Sequence, residues 1–390
     1  MKLEKIQQEL IRQQLDGWLF FDHHHRDPLA YRVLGFEPSQ HVTRRWYCLI
    51  PAQGVPRKLV HRIESKMIES VPGETCVYSS WGEQTSELAR LLSGCKRVAM
   101  QYSPNCAIPY VSMVDAGTVE LVRSMGVEVV TSAELIQVFE AQLDQAGLES
   151  HLGAGKLVDR VRGEAFEFIG ESLRTGRSIS EWDVAELVRS RFNAAKLFTE
   201  SGPIVAVNEH AADPHYEPQA SGSQPIRQGD LILLDMWAKL KTPGAVYYDI
   251  TWTGYCGDTV PVEIQRVFEV VRDARDAAFK RVQDAFAQGI TLAGYQVDDA
   301  ARESIRAAGF GDRFVHRTGH SIAVEVHGNG ANMDNLETHD TRVVMPWSCF
   351  SIEPGVYLDR FGIRSEINIF VDETLPRVTG EIQREMLLIR

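Results

Sequence analysis

Two rhythms of apolar and polar residues divide the chain. Up to about residue 150, short apolar runs alternate with helical patterns. WLFF, RWYCLI and KRVAM have strand character, and SELARLLSG predicts a helix closed by Gly94. SMVDAGTVELVRSMGVEVV predicts a helical stretch leading to the strand GVEVV, and TSAELIQVFEAQL a helix capped by Thr131 or Ser132. That alternation is the pattern of a small α/β domain. Residues 156–200 are mostly helical, in KLVDRVRGEAFEFIGESLRTG and SISEWDVAELVRSRFNAAK, the second with Ser178 or Ser180 near its start and Glu181 in its first turns. A domain break is expected near residues 148–156, around ESHLGAGK, separating 1–152 from 153–390. Beyond it, GDLILLDMWAKL, AVYYDITWTGYC, SCFSIEPGVYL and IRSEINIFV are strand-like, and one long helical block, roughly 263–309, interrupts them. This half reads as an α+β domain, antiparallel strands with helices massed on one side.

Composition narrows the function classes. A length of 390 residues is long for one hydrophobic core and comfortable for two domains. The formal charge of -12, from 53 acidic and 41 basic residues, disfavours non-specific contact with nucleic acid. No Lys/Arg-rich run suits a phosphate backbone, so no nucleic-acid partner is expected. The opening MKLEKIQQELIRQQLDGWLFF lacks the apolar region and cleavage site of a signal peptide. No stretch approaches eighteen apolar residues, so no membrane partner is expected. The six cysteines are scattered without a CxxC pair, which points to free thiols in a reducing cytoplasm.

Four carboxylates stand out by their apolar neighbours. Asp235 ends the apolar run of LILLDMW, and Asp249 follows two tyrosines in AVYYDITW. Glu353 precedes Pro354 and Gly355 in CFSIEPGVY, and Glu366 precedes an apolar run in GIRSEINIFV. A buried carboxylate is costly unless it is paired or bound to metal. Any one of them can cap a turn or meet a lysine. Four together with a histidine cluster are harder to dismiss, and two divalent ions sharing carboxylates explain the set. Carboxylate oxygens with one imidazole suit Mn2+, Co2+, Fe2+ or Zn2+ better than Cu+. The cluster is HRTGHSIAVEVH, which holds His316, His320 and His327. Its HxxxH has Arg317 where a zincin helix has glutamate, so it does not read as one. Composition and spacing leave open a binuclear hydrolytic site or a crowd of ordinary salt bridges, and they do not choose a substrate.

The ordered set Asp235, Asp249, His320, Glu353 and Glu366 resembles the five-ligand site of the pita-bread metallopeptidases, which include methionine aminopeptidase, aminopeptidase P and prolidase. GDLILLDMW resembles the family's strand with the first aspartate, and YYDITWTG its Asp-Ile-Thr-Arg-Thr motif. HRTGHSIAVEVHG resembles its segment of three spaced histidines, FSIEPGVYL its Glu-Pro-Gly motif, and GIRSEINIFV its last glutamate with a nearby arginine. The motifs span about residues 207–370. More loosely, the first domain resembles the creatinase-like, RNase H-like N-terminal domain of aminopeptidase P, prolidase and creatinase, which methionine aminopeptidase lacks. The resemblance implies an α/β N-terminal domain and an α+β pita-bread catalytic domain. It implies two divalent metal ions per chain, Mn2+ first and Co2+ or Zn2+ next. Asp249 and Glu366 would bridge them, Asp235 would bind one, and His320 and Glu353 the other. A hydroxide held between the ions would attack the scissile carbonyl, with Glu353 also acting as general base. His327 is implied to contact the reacting carbonyl, His215 to be a further active-site histidine, and His316 to stand near the substrate wall. His210 has no family counterpart. Arg364 shares a strand face with Glu366 two residues on, and the resemblance implies that it orients carboxylates.

The chain departs from the family in four places. Trp252 replaces the arginine of Asp-Ile-Thr-Arg-Thr, as packing or as substrate wall. The two aspartates are fourteen positions apart, more than usual, with the extra residues in KLKTPGAVY. A Pro-Gly turn tolerates that, provided both aspartates keep one face. Ala323 stands where many relatives have glycine. Glu353 and Glu366 are thirteen positions apart, a short gap that resembles prolidases. The expected substrate is a proline-containing peptide: a Xaa-Pro dipeptide first, with an aminopeptidase P activity on longer peptides as the alternative. Tyr216, Tyr247, Tyr248 and Trp252 are candidates to line a proline pocket. His316, His327 and Arg317 are candidates to meet the substrate's terminal carboxylate. A creatinase-like hydrolase or a binding protein would not need the five ligands, all of which are present. Relatives imply a homodimer whose N-terminal domain serves dimerisation and the cleft rim. The run FDHHHRDP, with His23, His24 and His25, is expected as a loop or strand edge near the partner's active-site entrance, since consecutive side chains do not converge on one strand face.

Overall fold

The computed structural model describes residues 2–36 and 41–390, and the chain divides into two compact units between Glu140 and Ala141. The first unit is built on six strands: β1 (Gly17–Asp22), β2 (Trp46–Pro51), β3 (Arg57–His61), β4 (Glu74–Tyr78), β5 (Arg97–Met100) and β6 (Glu128–Thr131). Their order is β4-β3-β2-β1-β5-β6, with β2 antiparallel to the rest. Alternation sends Trp18 and Phe20 to one face and Leu19 and Phe21 to the other. Helices α1 (Leu3–Arg12), α2 (Pro28–Leu34) and α5 (Ala133–Glu140) cover the first face. Helices α3 (Trp81–Leu91) and α4 (Ala116–Ser124) cover the second. The apolar pattern misses β3 and β4, which are short, and β4 is a sheet edge exposed along most of its length. FDHHHRDP is a loop: the Asp22 carboxylate accepts from the backbone N–H groups of His25, Arg26 and Asp27, and His24 and His25 take left-handed φ of 64° and 56°.

The second unit opens with α6 (Gln145–Thr175), capped by Asp144, so ESHLGAGK lies inside one continuous helix rather than at a break. Its glycines serve packing. A Cβ at Gly155 would lie 2.9 Å from the Tyr248 ring, so the helix reaches the sheet because glycine stands there. Next comes α7 (Glu181–Ala194), started by a reciprocal capping box between Ser180 and Asp183. Then follow β7 (Leu197–Phe198), β8 (Ile204–Val207), β9 (Leu231–Leu240) and β10 (Tyr248–Cys256). The expected long helical block is two helices, α8 (Val262–Ala287) and α9 (Gly294–Ala307), parted near Gly289 at φ +65°. The chain ends in β11 (Ser321–Ile322), β12 (Cys349–Ile352), β13 (Gly355–Leu358), β14 (Phe361–Arg364), β15 (Ile367–Val371), β16 (Pro376–Val378) and β17 (Leu387–Ile389).

These strands form a sheet β17-β10-β9-β7 with β8 also on β9, a sheet β11-β12-β15-β16, and a hairpin β13-β14. The helices pack as two pairs. The α6–α7 pair packs on the first sheet, and α8–α9 packs on the second sheet and the hairpin, each around its own apolar cluster. Among the described residues no helix is long and apolar enough to cross a membrane, and all six cysteines are free.

His151, wholly buried on α6, ties that helix to the sheet. Its Nδ1 lies 2.5 Å from the Tyr247 carbonyl and its Nε2 2.7 Å from Thr379 Oγ1. A ring that donates to the carbonyl and accepts from the threonine is neutral, and burial holds its pKa down at about 4. The unfolded chain takes up that proton near pH ~6.5. The stability due to neutral His151 is therefore complete above pH ~6.5 and is lost as the pH falls towards about 4. We expect the melting temperature of the wild type to fall more steeply across that window than that of His151→Gln. Parallel profiles would remove His151 from the acid response.

Candidate functional site

Asp235 and Asp249 stand on neighbouring antiparallel strands. Asp235 pairs with Thr251, and Asp249 with Trp237. Opposed residues share a face, as do residues two apart, so both aspartates and Thr251 point away from α6 and α7. The extra length between them is a loop, residues 241–247, with Gly244 at φ +74°. The ladder register is untouched. Glu353 follows β12, and Glu366 precedes β15. The Glu366 N–H donates to the Thr251 carbonyl at 3.1 Å, and its Oε2 accepts the Thr251 hydroxyl at 2.9 Å. That pair of bonds fixes the two sheets to each other at the site. His320 donates from Nδ1 to the Ser321 carbonyl at 3.1 Å. Its Nε2 is thereby turned to Asp249 Oδ2 at 3.5 Å and Glu353 Oε1 at 3.2 Å. Ligand atoms of Asp249, His320 and Glu366 all lie within 4.8 Å of one another.

The charges do not balance. Asp235 Oδ1, Asp249 Oδ1 and Glu366 Oε1 are buried without a hydrogen-bond partner. Burial, then repulsion from Asp249, Glu353 and Asp235, pushes Glu366 far above the carboxylate range. Burial raises Asp249 to about 7 despite its bond to His320, and raises Asp235 despite Arg364. His320 goes the other way: burial would depress it, but Asp249 and Glu353 lift it to about 9. Arg364 reaches Asp235 Oδ2 at 2.5 Å, Tyr357 Oη at 2.9 Å and Thr251 Oγ1 at 3.1 Å. The Arg364 guanidinium and the His320 ring are the basic groups against these four carboxylates. A divalent cation supplies both the missing charge and the missing partners of those oxygens. The residues present therefore fit a metal, and Asp249, His320 and Glu366 form a metal-binding cluster.

The other histidines separate. His327 is exposed and meets His320 edge-on, ring centres 4.5 Å apart. His215 is exposed on the loop after residues 208–212, and Arg364 donates to the neighbouring Pro214 carbonyl at 3.5 Å. His316 turns away from the ligands. Its Nδ1–H donates to the Arg317 carbonyl at 2.6 Å and its Nε2 accepts from Tyr357 Oη at 2.7 Å, while burial holds it at about 4. Arg364, Tyr357 and His316 thus form one chain of hydrogen bonds. Tyr357 escapes the sequence reading; the available clue is Gly362 opposite it, where a Cβ would lie 2.7 Å from its ring. Glu181 escapes it too. Wholly buried, it accepts from the Val207 and Gln224 N–H groups and the Tyr216 hydroxyl, and meets His210 Nδ1 at 2.9 Å. It anchors the segment that carries His215, and it accounts for His210.

The sequence pattern of metallopeptidase family M24 matches residues 149–373. The chain belongs to that family. A probable dipeptidase PepE of Mycobacterium tuberculosis is 26% identical over 347 residues, 87% of this chain and 84% of its own. A Xaa-Pro dipeptidase of Lactobacillus delbrueckii subsp. lactis is 31% identical over 205 residues, 52% of this chain and 50% of its own. The crystal structure of dipeptidase PepE from Mycobacterium ulcerans matches with a TM-score of 0.69 at 22% identity, covering 99% of this chain and 96% of that one. It shares the fold, an α/β N-terminal domain before an α+β pita-bread domain.

Within the M24 frame the local departures are accommodated. Trp252 lies on the opposite face of β10 from Asp249, under the Arg162 guanidinium at 3.7 Å. It is packing for α6, and Tyr248 faces the same way, so neither lines the site. Trp237, two residues after Asp235, shares the site face and packs against the apolar cluster that holds Tyr247 and against the one that Tyr216 also covers. The Ala323 methyl finds room beside Gly328, where a Cβ would lie 3.2 Å from it. We expect Mn2+ added to metal-stripped protein, at about 100-fold over its Kd, to stabilise the fold by about 2.7 kcal/mol. Asp249→Asn should lose that shift. Superimposable melts with and without Mn2+ would reject the metal site.

Proposed function

We propose that this M24 metallopeptidase is a Xaa-Pro dipeptidase with two divalent ions per chain, Mn2+ in first place. The observation that carries it is the trio of buried, partnerless oxygens on Asp235, Asp249 and Glu366 around His320. Asp249 and Glu366 would be shared between the two ions, Asp235 would hold one, and His320 and Glu353 would hold the other. The Xaa-Pro dipeptidase relative and the short excursion between Glu353 and Glu366 support the substrate. When bound, the metals lower the pKa of water towards neutrality and polarise the scissile carbonyl.

The chain's own groups do the rest. Glu353 accepts a proton at its carboxylate; the His320 beside it keeps it ionised against the effect of burial. Arg364, itself held by Tyr357 and His316, fixes the Asp235 carboxylate. His327 and His215, both exposed, bind the substrate carbonyl and backbone. Trp237, Tyr216 and Tyr247 offer the apolar wall for the pyrrolidine ring. Arg317, whose charge reaches His320 and His327, meets the dipeptide's free carboxylate. We place the enzyme in the cytoplasm as a homodimer, the first unit serving dimerisation and the cleft rim. Sedimentation at the monomer mass would reject the dimer.

A Xaa-Pro dipeptide should be cleaved far faster than the same peptide extended by two residues. Comparable release of the first residue from both would assign an aminopeptidase P activity instead. Glu353→Gln should lower kcat by roughly 10²–10⁴-fold, and undiminished turnover would reject its role. Tyr357→Phe removes a bond to a charged group, so kcat should fall about tenfold with metal content unchanged. An equal loss of metal would make Tyr357 part of the metal site rather than a positioning residue.

A further inference from the structure

The first unit holds a cavity of about 590 Å3, lined by none of the residues assigned above to metal or substrate. That is far larger than a single phosphate needs and lies within the roughly 300–1,000 Å3 of small-molecule sites. It opens where β1, β3 and β4 end and where α3 and α4 begin, on the side of the sheet where the chain crosses from β4 back to β5. Open α/β sheets bind ligands outside the carboxyl ends of their strands, and helix N-termini there favour anions.

The lining is cationic in a protein of net charge -12. Arg26, Arg44 and Arg45 line it with His23, His24 and His61. Asp115 also lines it, and the carboxylates there and close by accept bonds from their own loops. Asp22 accepts from the His25, Arg26 and Asp27 N–H groups, Glu64 from those of Thr43 and Arg44, and Asp115 from that of Thr118. Among the described residues no acidic side chain forms an ion pair with Arg26, Arg44 or Arg45. Burial, then the charges of His24, Arg26 and Arg45, keep His23 below the usual imidazole range, so these cations converge. Trp81, the first residue of α3, also lines the cavity and is 81% exposed, a ring face that packs no core. Guanidiniums and an open indole along one lining suit an anion that carries a planar ring.

We infer that this cavity binds a nucleoside diphosphate, its phosphates on Arg26, Arg44 and Arg45 and its base on Trp81. Calorimetry on the full-length chain in 0.15 M salt, with ADP, pyrophosphate and adenosine as separate probes, tests it. ADP should bind saturably, pyrophosphate at least tenfold more weakly, and adenosine more weakly still. Replacing Arg26 and Arg45 together by Gln should weaken ADP tenfold or more. Trp81→Ala should bring ADP to the affinity of pyrophosphate. All three side chains are exposed, so both variants should keep the wild-type melting curve. No saturable binding at about 1 mM ADP, ADP binding untouched by the arginine substitutions, or pyrophosphate bound as tightly as ADP would each overturn the proposal.

Discussion

Four carboxylates and one imidazole crowd together at a largely buried site, and the rest of the catalytic unit answers to that constraint. Like charges a few ångströms apart repel strongly at low dielectric, so every oxygen not meant for a ligand must be held by a donor. Thr251 serves twice, receiving from Arg364 and giving to Glu366. Ser351 donates to Glu353 and receives the His320 N–H. Asn368 pairs with both backbone groups of Asp249, which pins β10 to β15 at the ligand itself. What remains partnerless is one oxygen on each of three carboxylates, all in one place.

The layer behind the site is as constrained as its front. Asp298, wholly buried on α9, accepts the N–H and hydroxyl of Thr318 and pairs with Arg302, which in turn donates to the Phe314 and His316 carbonyls. A helix on the far side of the sheet thus sets the backbone that delivers His320. The Glu353 N–H bonds the Thr318 carbonyl, so the same segment also places the general-base candidate. Breaking a buried ion pair by removing one partner costs about 3–5 kcal/mol, so this backing is costly to disturb although it touches no ligand.

Legibility in the sequence follows from this division. The four carboxylates are visible because carboxylates inside apolar strands violate local expectation and so demand a reason. The cap at Ser180 is visible because its bond is local. Tyr357, Glu181 and Asp298 are not, since each looks ordinary in its own segment and acts on residues far along the chain. His316 misleads in the opposite sense: it shares a cluster with His320, but its ring is turned to Tyr357. Trp252 was decidable beforehand. It lies three positions from Asp249, and on a strand that parity puts it on the other face. ESHLGAGK was not, because glycine that loosens a linker and glycine that lets a helix touch a tyrosine are the same residue until the partner is known.

Net charge conceals where function resides. The overall excess of acid is an average over two opposite local imbalances. In the second unit, oxygens without donors surround an imidazole, and a cation satisfies them. In the first, three guanidiniums that form no ion pair among the described residues line a cavity, and nearby carboxylates accept from backbone N–H groups. In both places backbone and side-chain hydrogen bonds, rather than residue type, decide which charged groups are held in place and which keep atoms without a partner. A residue is committed or free according to its bonds rather than its type, which is why neither imbalance can be counted from composition.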